Sequence, residues 1–101
     1  MSIKTSRKPI NVLVEEIEYL AEIIGYHITE ISVSNKLLEI MLNGKFNNNI
    51  NLCIKYDLET NQFVSFHKLI YGFKYIQPIT NPEIKRVMNS LEEAIRRWAD
   101  A

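Results

Sequence analysis

Cysteine, glycine, proline and net charge are all scarce in this 101-residue chain, and each scarcity closes off a class of function. One cysteine, Cys53, permits no internal disulfide and cannot by itself build a zinc site of the usual spacing. The three glycines, Gly25, Gly44 and Gly72, stand far apart, so no glycine-rich loop offers to cradle a phosphate. Twelve basic and twelve acidic residues cancel, which removes the bulk field that draws a protein to nucleic acid or to an anionic membrane. No apolar run approaches the ~18 residues of a membrane-spanning helix. A chain with so little cysteine and no signal segment is expected in the cytoplasm.

What is present is pattern. The stretch Ile28–Leu42, ITEISVSNKLLEIML, alternates apolar and polar residues on both sides of Asn35-Lys36. A two-residue turn there pairs Val33 with Leu38, Ile31 with Ile40 and Thr29 with Leu42, which gathers the apolar residues on one face. A one-residue slip would turn that set toward water, so the pattern defends its own register. The Asn43–Asn49 segment reads as a loop, because pairing Leu42 with Ile50 keeps the next strand, Ile50–Leu58, apolar toward the same face. Thr60-Asn61 then closes a hairpin into a fourth strand, Phe63–Tyr71, in a register that sets Ile54 opposite His67. That histidine is the one break in an otherwise apolar layer.

Helices flank the strands. Ile10, Leu13, Val14, Ile17, Leu20, Ala21 and Ile24 recur at helical spacing after Pro9, with Ser6 or Asn11 as a candidate cap and Gly25 as the stop. Val12, Tyr19 and Ile23 widen the stripe on one flank. Thr80-x-x-Glu83 is a capping box with Pro82 in the first turn. The helix it opens carries Ile84, Val87, Met88, Leu91, Ile95 and Trp98 on one stripe. The expected fold is a single α+β domain over residues 1–101, ordered α-β-β-β-β-α. It is a two-layer sandwich whose four-stranded antiparallel sheet has both helices on one face, preceded by a flexible basic arm at residues 1–8.

Candidate sites are few. Cys53 and His67 are the one pair able to supply a nucleophile and a base. In the register above they point to opposite faces, and a polar pocket that held them together would be the structural sign of an enzyme. Glu15, Glu18 and Glu22 share one helical face. They form an acidic strip that is either solvated or set for a basic partner, and with no second helix offering Glu-x-x-His they are not expected to hold metal. No cofactor and no small-molecule substrate are indicated. The fourth strand departs from what sheet edges usually look like: FVSFHKLIY is apolar on both sides and carries only Lys68 as a charge. With Phe63, Leu69 and Tyr71 facing the helices, Val64, Phe66, Lys68 and Ile70 would point outward as a contact surface, unless Phe73–Ile79 folds back over them.

The sequence therefore points to a non-enzymatic protein-binding module, a small regulator, inhibitor or immunity-type protein that acts through an exposed sheet edge. Its partner is expected to be another protein or a second copy in a homodimer. The alternative is a single-stranded nucleic-acid binder that uses the basic arm, Arg96 and Arg97 with the aromatics of Tyr71–Tyr75. The balanced charge speaks against it.

Overall fold

The computed structural model describes residues 9–75 and 82–99. The basic arm, Pro78 and the Thr80 cap lie outside the described residues. The chain runs α1 (Ile10–Ile23), β1 (Tyr26–Ser34), β2 (Leu37–Gly44), β3 (Ile50–Asp57), β4 (Gln62–Ile70), β5 (Phe73–Tyr75) and α2 (Pro82–Ala99). The α+β class and the helix–strands–helix order hold. The sheet is an antiparallel meander of five strands, β1-β2-β3-β4-β5, where four were expected. The added strand follows from Tyr71 and Gly72. Both take positive φ (+52° and +83°), and together they turn the chain back so that Phe73 pairs with Ile70. Glycine supplies that conformation without strain, and the pair makes a tight hairpin turn where the expected fourth strand ends.

α1 begins without a side-chain cap. Pro9 occupies the cap position, and its carbonyl accepts from the Val12 N–H at 3.1 Å. Ser6 lies outside the described residues, and Asn11 is already helical. Gly25 ends the helix at φ +81°, the conformation only glycine adopts readily. In the loop after β2, Gly44 is required for another reason. A Cβ there would stand 2.5 Å from the Asn47 carbonyl oxygen, so any side chain would force the loop open.

Alternation gives β2 and β3 their faces. Leu38 pairs with Tyr56, Ile40 with Ile54 and Leu42 with Leu52, and all six are buried. This pairing sits two residues along from the expected one, which draws Asn43 into the ladder opposite Asn51 and leaves every side chain on its expected face. The six join one buried cluster with Leu13, Ile17 and Ala21 of α1 and with Leu91, Ala94, Ile95 and Trp98 of α2. Of the wider α1 flank, Val12, Tyr19 and Ile23 are exposed.

Two β-bulges correct the registers read from the sequence. In β1 the ladder holds from Ser34 to Glu30, then Thr29 is skipped and Ile28 faces Leu42. The bulge puts isoleucine where strict pairing would have placed threonine, and the Thr29 hydroxyl donates to the Met41 carbonyl at 3.2 Å. The second bulge has larger consequences. The β3–β4 loop has four residues, Leu58–Asn61, where Asp57 Oδ1 accepts from the Glu59 and Thr60 N–H groups. Tyr56 then pairs with Phe63, Val64 is skipped, and Lys55 pairs with Ser65. Every residue beyond Val64 sits on the face opposite to the one expected.

The packing gain explains the slip. Phe66 lands opposite Ile54 and packs against the buried cluster. Its ring meets Phe63 edge to face at 5.9 Å, and Phe63 meets Tyr56 the same way at 5.0 Å. Such pairs contribute about 0.5–1.5 kcal/mol each beyond their burial. Ser65 and His67, the two polar residues that the unbulged register would have buried, move to the second face. The assignment of Phe66, Lys68 and Ile70 as outward-pointing is thereby corrected: they share a face with Ile54, Leu52 and Ile50. Lys68–Ile70 is also not a free edge, since β5 pairs with it.

Candidate functional site

The second face of the sheet is where unlike residues converge. One row across it reads Glu30, Met41, Cys53 and His67, each directly paired with the next on β1 to β4. The adjoining row reads Ser32, Glu39, Lys55 and Ser65. Residues of both rows line a depression of about 370 Å³. The bulge at Val64 builds this site, because without it His67 would sit on the core face.

Within the depression, Cys53 Sγ donates toward Met41 Sδ at 3.1 Å. Lys55 Nζ stands 4.0 Å from Glu39 Oε2. His67 Nδ1 and Ser65 Oγ are shut off from solvent and have no hydrogen-bond partner. Burial pushes the Cys53 thiol up from its ordinary value, with nearby Lys55 opposing. Burial also holds the His67 imidazole down, helped by the positive charges of Lys74 and Lys55. At neutral pH the thiol is therefore protonated and the imidazole uncharged.

Cys53 and His67 thus share a polar depression, the arrangement named above as the sign of a catalytic pair. Their protonation states run the other way. A nucleophilic cysteine is a thiolate favoured by a neighbouring cation or base. Here the thiol is turned to Met41, and no hydrogen bond joins it to His67 among the described residues. Nor do the described residues contain a group of three or more His, Cys, Asp or Glu placed to hold a metal ion.

The acidic strip of α1 is largely engaged within the fold. Glu18 accepts the Ile28 N–H at 3.1 Å, and Glu22 pairs with Lys45, which holds its carboxyl below the usual range. Glu15 is exposed. Arg96 donates to the Asn61 carbonyl at 3.1 Å and pairs with Glu92 at 3.4 Å, while Arg97 pairs with Glu16 and with Glu93 at 3.9 Å. Both arginines that a nucleic-acid surface would need are thus committed to internal contacts.

The contact strand divides in two. Phe66 looks into a second depression of about 330 Å³ shared with Lys85, Met88 and Asn89 of α2. Val64, skipped by the ladder, is 59% exposed, and beyond it Tyr71 is 68% and Phe73 79% exposed. Tyr71 and Phe73 were expected as contacts only in the nucleic-acid alternative. The signal that could have marked them was Gly72, the residue type that a tight turn after β4 calls for. No protein-family model matches this chain, and neither does a curated protein or a solved structure.

Proposed function

We propose that this protein is a non-enzymatic protein-binding module, of the kind that regulates or inhibits a partner by occupying its surface, and that it engages the partner along the outer edge of β4. The observation that carries the reading is the edge itself. β5 covers only Lys68–Ile70, which leaves Gln62–His67 with no strand on its outer side among the described residues. That stretch, QFVSFH, contains no charged residue and no proline. Natural edges are usually interrupted by charge, proline or a covering element. β1, at the other side of the sheet, follows that rule: Glu30 is exposed on it, and the Ile28 N–H is taken by Glu18. The reading also takes both helices to cover the face of Leu38, Ile40 and Ile54, supported by their sharing one buried cluster.

A second copy is the simplest partner, since two such edges satisfy each other by antiparallel pairing. Covering Val64, Tyr71 and Phe73 contributes about 1.5–3 kcal/mol per side chain. Six such side chains across the two-fold give about 9–18 kcal/mol, and association opposes this by about 4–15 kcal/mol. Roughly six ladder hydrogen bonds along the paired edges add about 0.5–1.5 kcal/mol each, so micromolar affinity is the expected scale. Light scattering at about 100 µM tests it, a concentration well above that affinity. The wild type is expected to be dimeric, and Val64→Lys monomeric with an unchanged circular dichroism spectrum. If the wild type is monomeric, capture from cell lysate by wild type and by Val64→Lys is compared. Identical captures would overturn the edge reading.

A further inference from the structure

We propose that Met41, Cys53 and His67 together form a binding site for a monovalent soft metal ion, with copper(I) as the biological candidate. The three side chains come from three adjacent strands at one level of the sheet, each directly opposite the next. Directly opposed residues have Cβ atoms about 4.5–5.5 Å apart, close enough for neighbouring side chains to share one ligand. The two sulfurs already converge, at 3.1 Å. On one trigonal ion with metal–sulfur bonds of about 2.3 Å, two sulfurs stand about 4 Å apart, so entry opens this contact by about 1 Å. His67 supplies the independent sign. Its Nδ1 is enclosed without a hydrogen-bond partner, and an enclosed nitrogen lone pair is a group that a bound ion satisfies.

The donor set selects the ion. A thiolate, a thioether and an imidazole are soft donors that favour copper(I) over zinc or the hard cations. Charge makes the same choice. Lys55 and Lys74 lie close enough to act on His67, Glu30 and Glu39 line the same depression, and one thiolate with one monovalent cation adds no net charge to that balanced setting. The carboxylates of Glu30 and Glu39 are hard donors and do not compete for a soft ion. On binding, the Cys53 S–H bond breaks, a metal–sulfur bond forms, and the proton leaves to solvent with no change of oxidation state. The row lines an open depression, so the ion has a path in.

The test titrates the reduced full chain with copper(I) under anaerobic conditions against a chromophoric chelator, and repeats the titration with silver(I) for NMR. Expected are one ion per chain, an ultraviolet thiolate-to-metal band, and shifts of the Met41 methyl and His67 ring signals in the same step. Cys53→Ser should abolish the band. Met41→Leu and His67→Gln should each lower affinity at least about tenfold, the loss common when metal ligation is disturbed. Wild-type affinity in both of these variants would reduce the site to an ordinary thiol and overturn the proposal. Should a variant fail to fold, the wild-type spectra decide: a methyl or ring signal that does not shift at saturation overturns it equally.

Discussion

Cys53 and Ile54 are neighbours in β3 and lie on opposite faces of it. Ile54 is fully buried between Ile40 and Phe66, while Cys53 sits half-exposed between Met41 and His67. The two faces of one sheet therefore obey different rules. The first is set by volume and apolar area, the second by which polar groups find partners. The difference teaches where tolerance to change should lie, and five experiments sharpen or break it.

The largest effect is expected at Ile54. Ile54→Ala leaves a void in the central layer and should cost about 4 kcal/mol, near the top of the range for such truncations. That is much of the ~5–10 kcal/mol a domain this size has available. Cys53→Ala, one residue away, should cost about 1 kcal/mol or less in the same denaturant titration. Equal losses would erase the distinction between the faces.

Phe66→Lys comes next, at about 3 kcal/mol, because it removes ring contacts to Phe63 and places an ammonium group toward the core. A variant as stable as the wild type would restore the unbulged register. Glu18→Ala should cost about 1 kcal/mol by leaving the Ile28 N–H without its acceptor, measured by the shift in melting temperature. The second face should also show in pH dependence. His67 titrates below the ordinary imidazole value of about 6.5, so as pH falls the unfolded chain takes up that proton first. Its contribution is whole above that value and declines below it, and His67→Gln should flatten the decline as pH falls through the ordinary imidazole range. Smallest is Glu39→Gln, which removes an exposed pair and should change stability by less than about 0.5 kcal/mol.

Legibility in the sequence followed the strength of each pattern. The Asn35 turn and the pairs Val33–Leu38 and Ile31–Ile40 were readable because apolar residues recur at every second position on either side of the turn, and Asn35 takes the positive φ, +59°, that the turn needs. The large buried residues of α2, Ile84, Val87, Leu91, Ile95 and Trp98, were readable from their spacing, while buried Ala94 and Ala99 were not. β4 was not. Its residues are apolar in both phases, so no pattern preferred one face, and a four-residue loop with a bulge fitted as well as a tight turn. The flaw was visible as His67 and Ser65 falling among core layers, and Thr29 in β1 marked the other bulge in the same way. The candidate site was missed for that reason, since Cys53 and His67 were both singled out, Cys53 on its observed face, and only the face of His67 was misassigned.

By itself the sequence determined the class, the helix–strands–helix order without the fifth strand, the faces of β2 and β3 and the stripes of both helices. Each of these rests on local periodicity, which tertiary packing rewards without altering. Only the tertiary structure decided that Val64 is skipped. The choice turns on whether Phe66 or His67 fills the space beside Ile54, a comparison of burial energies between residues distant in the chain. That single choice carried Phe66 inward, brought His67 beside Cys53 and Met41, and so made the second face a site.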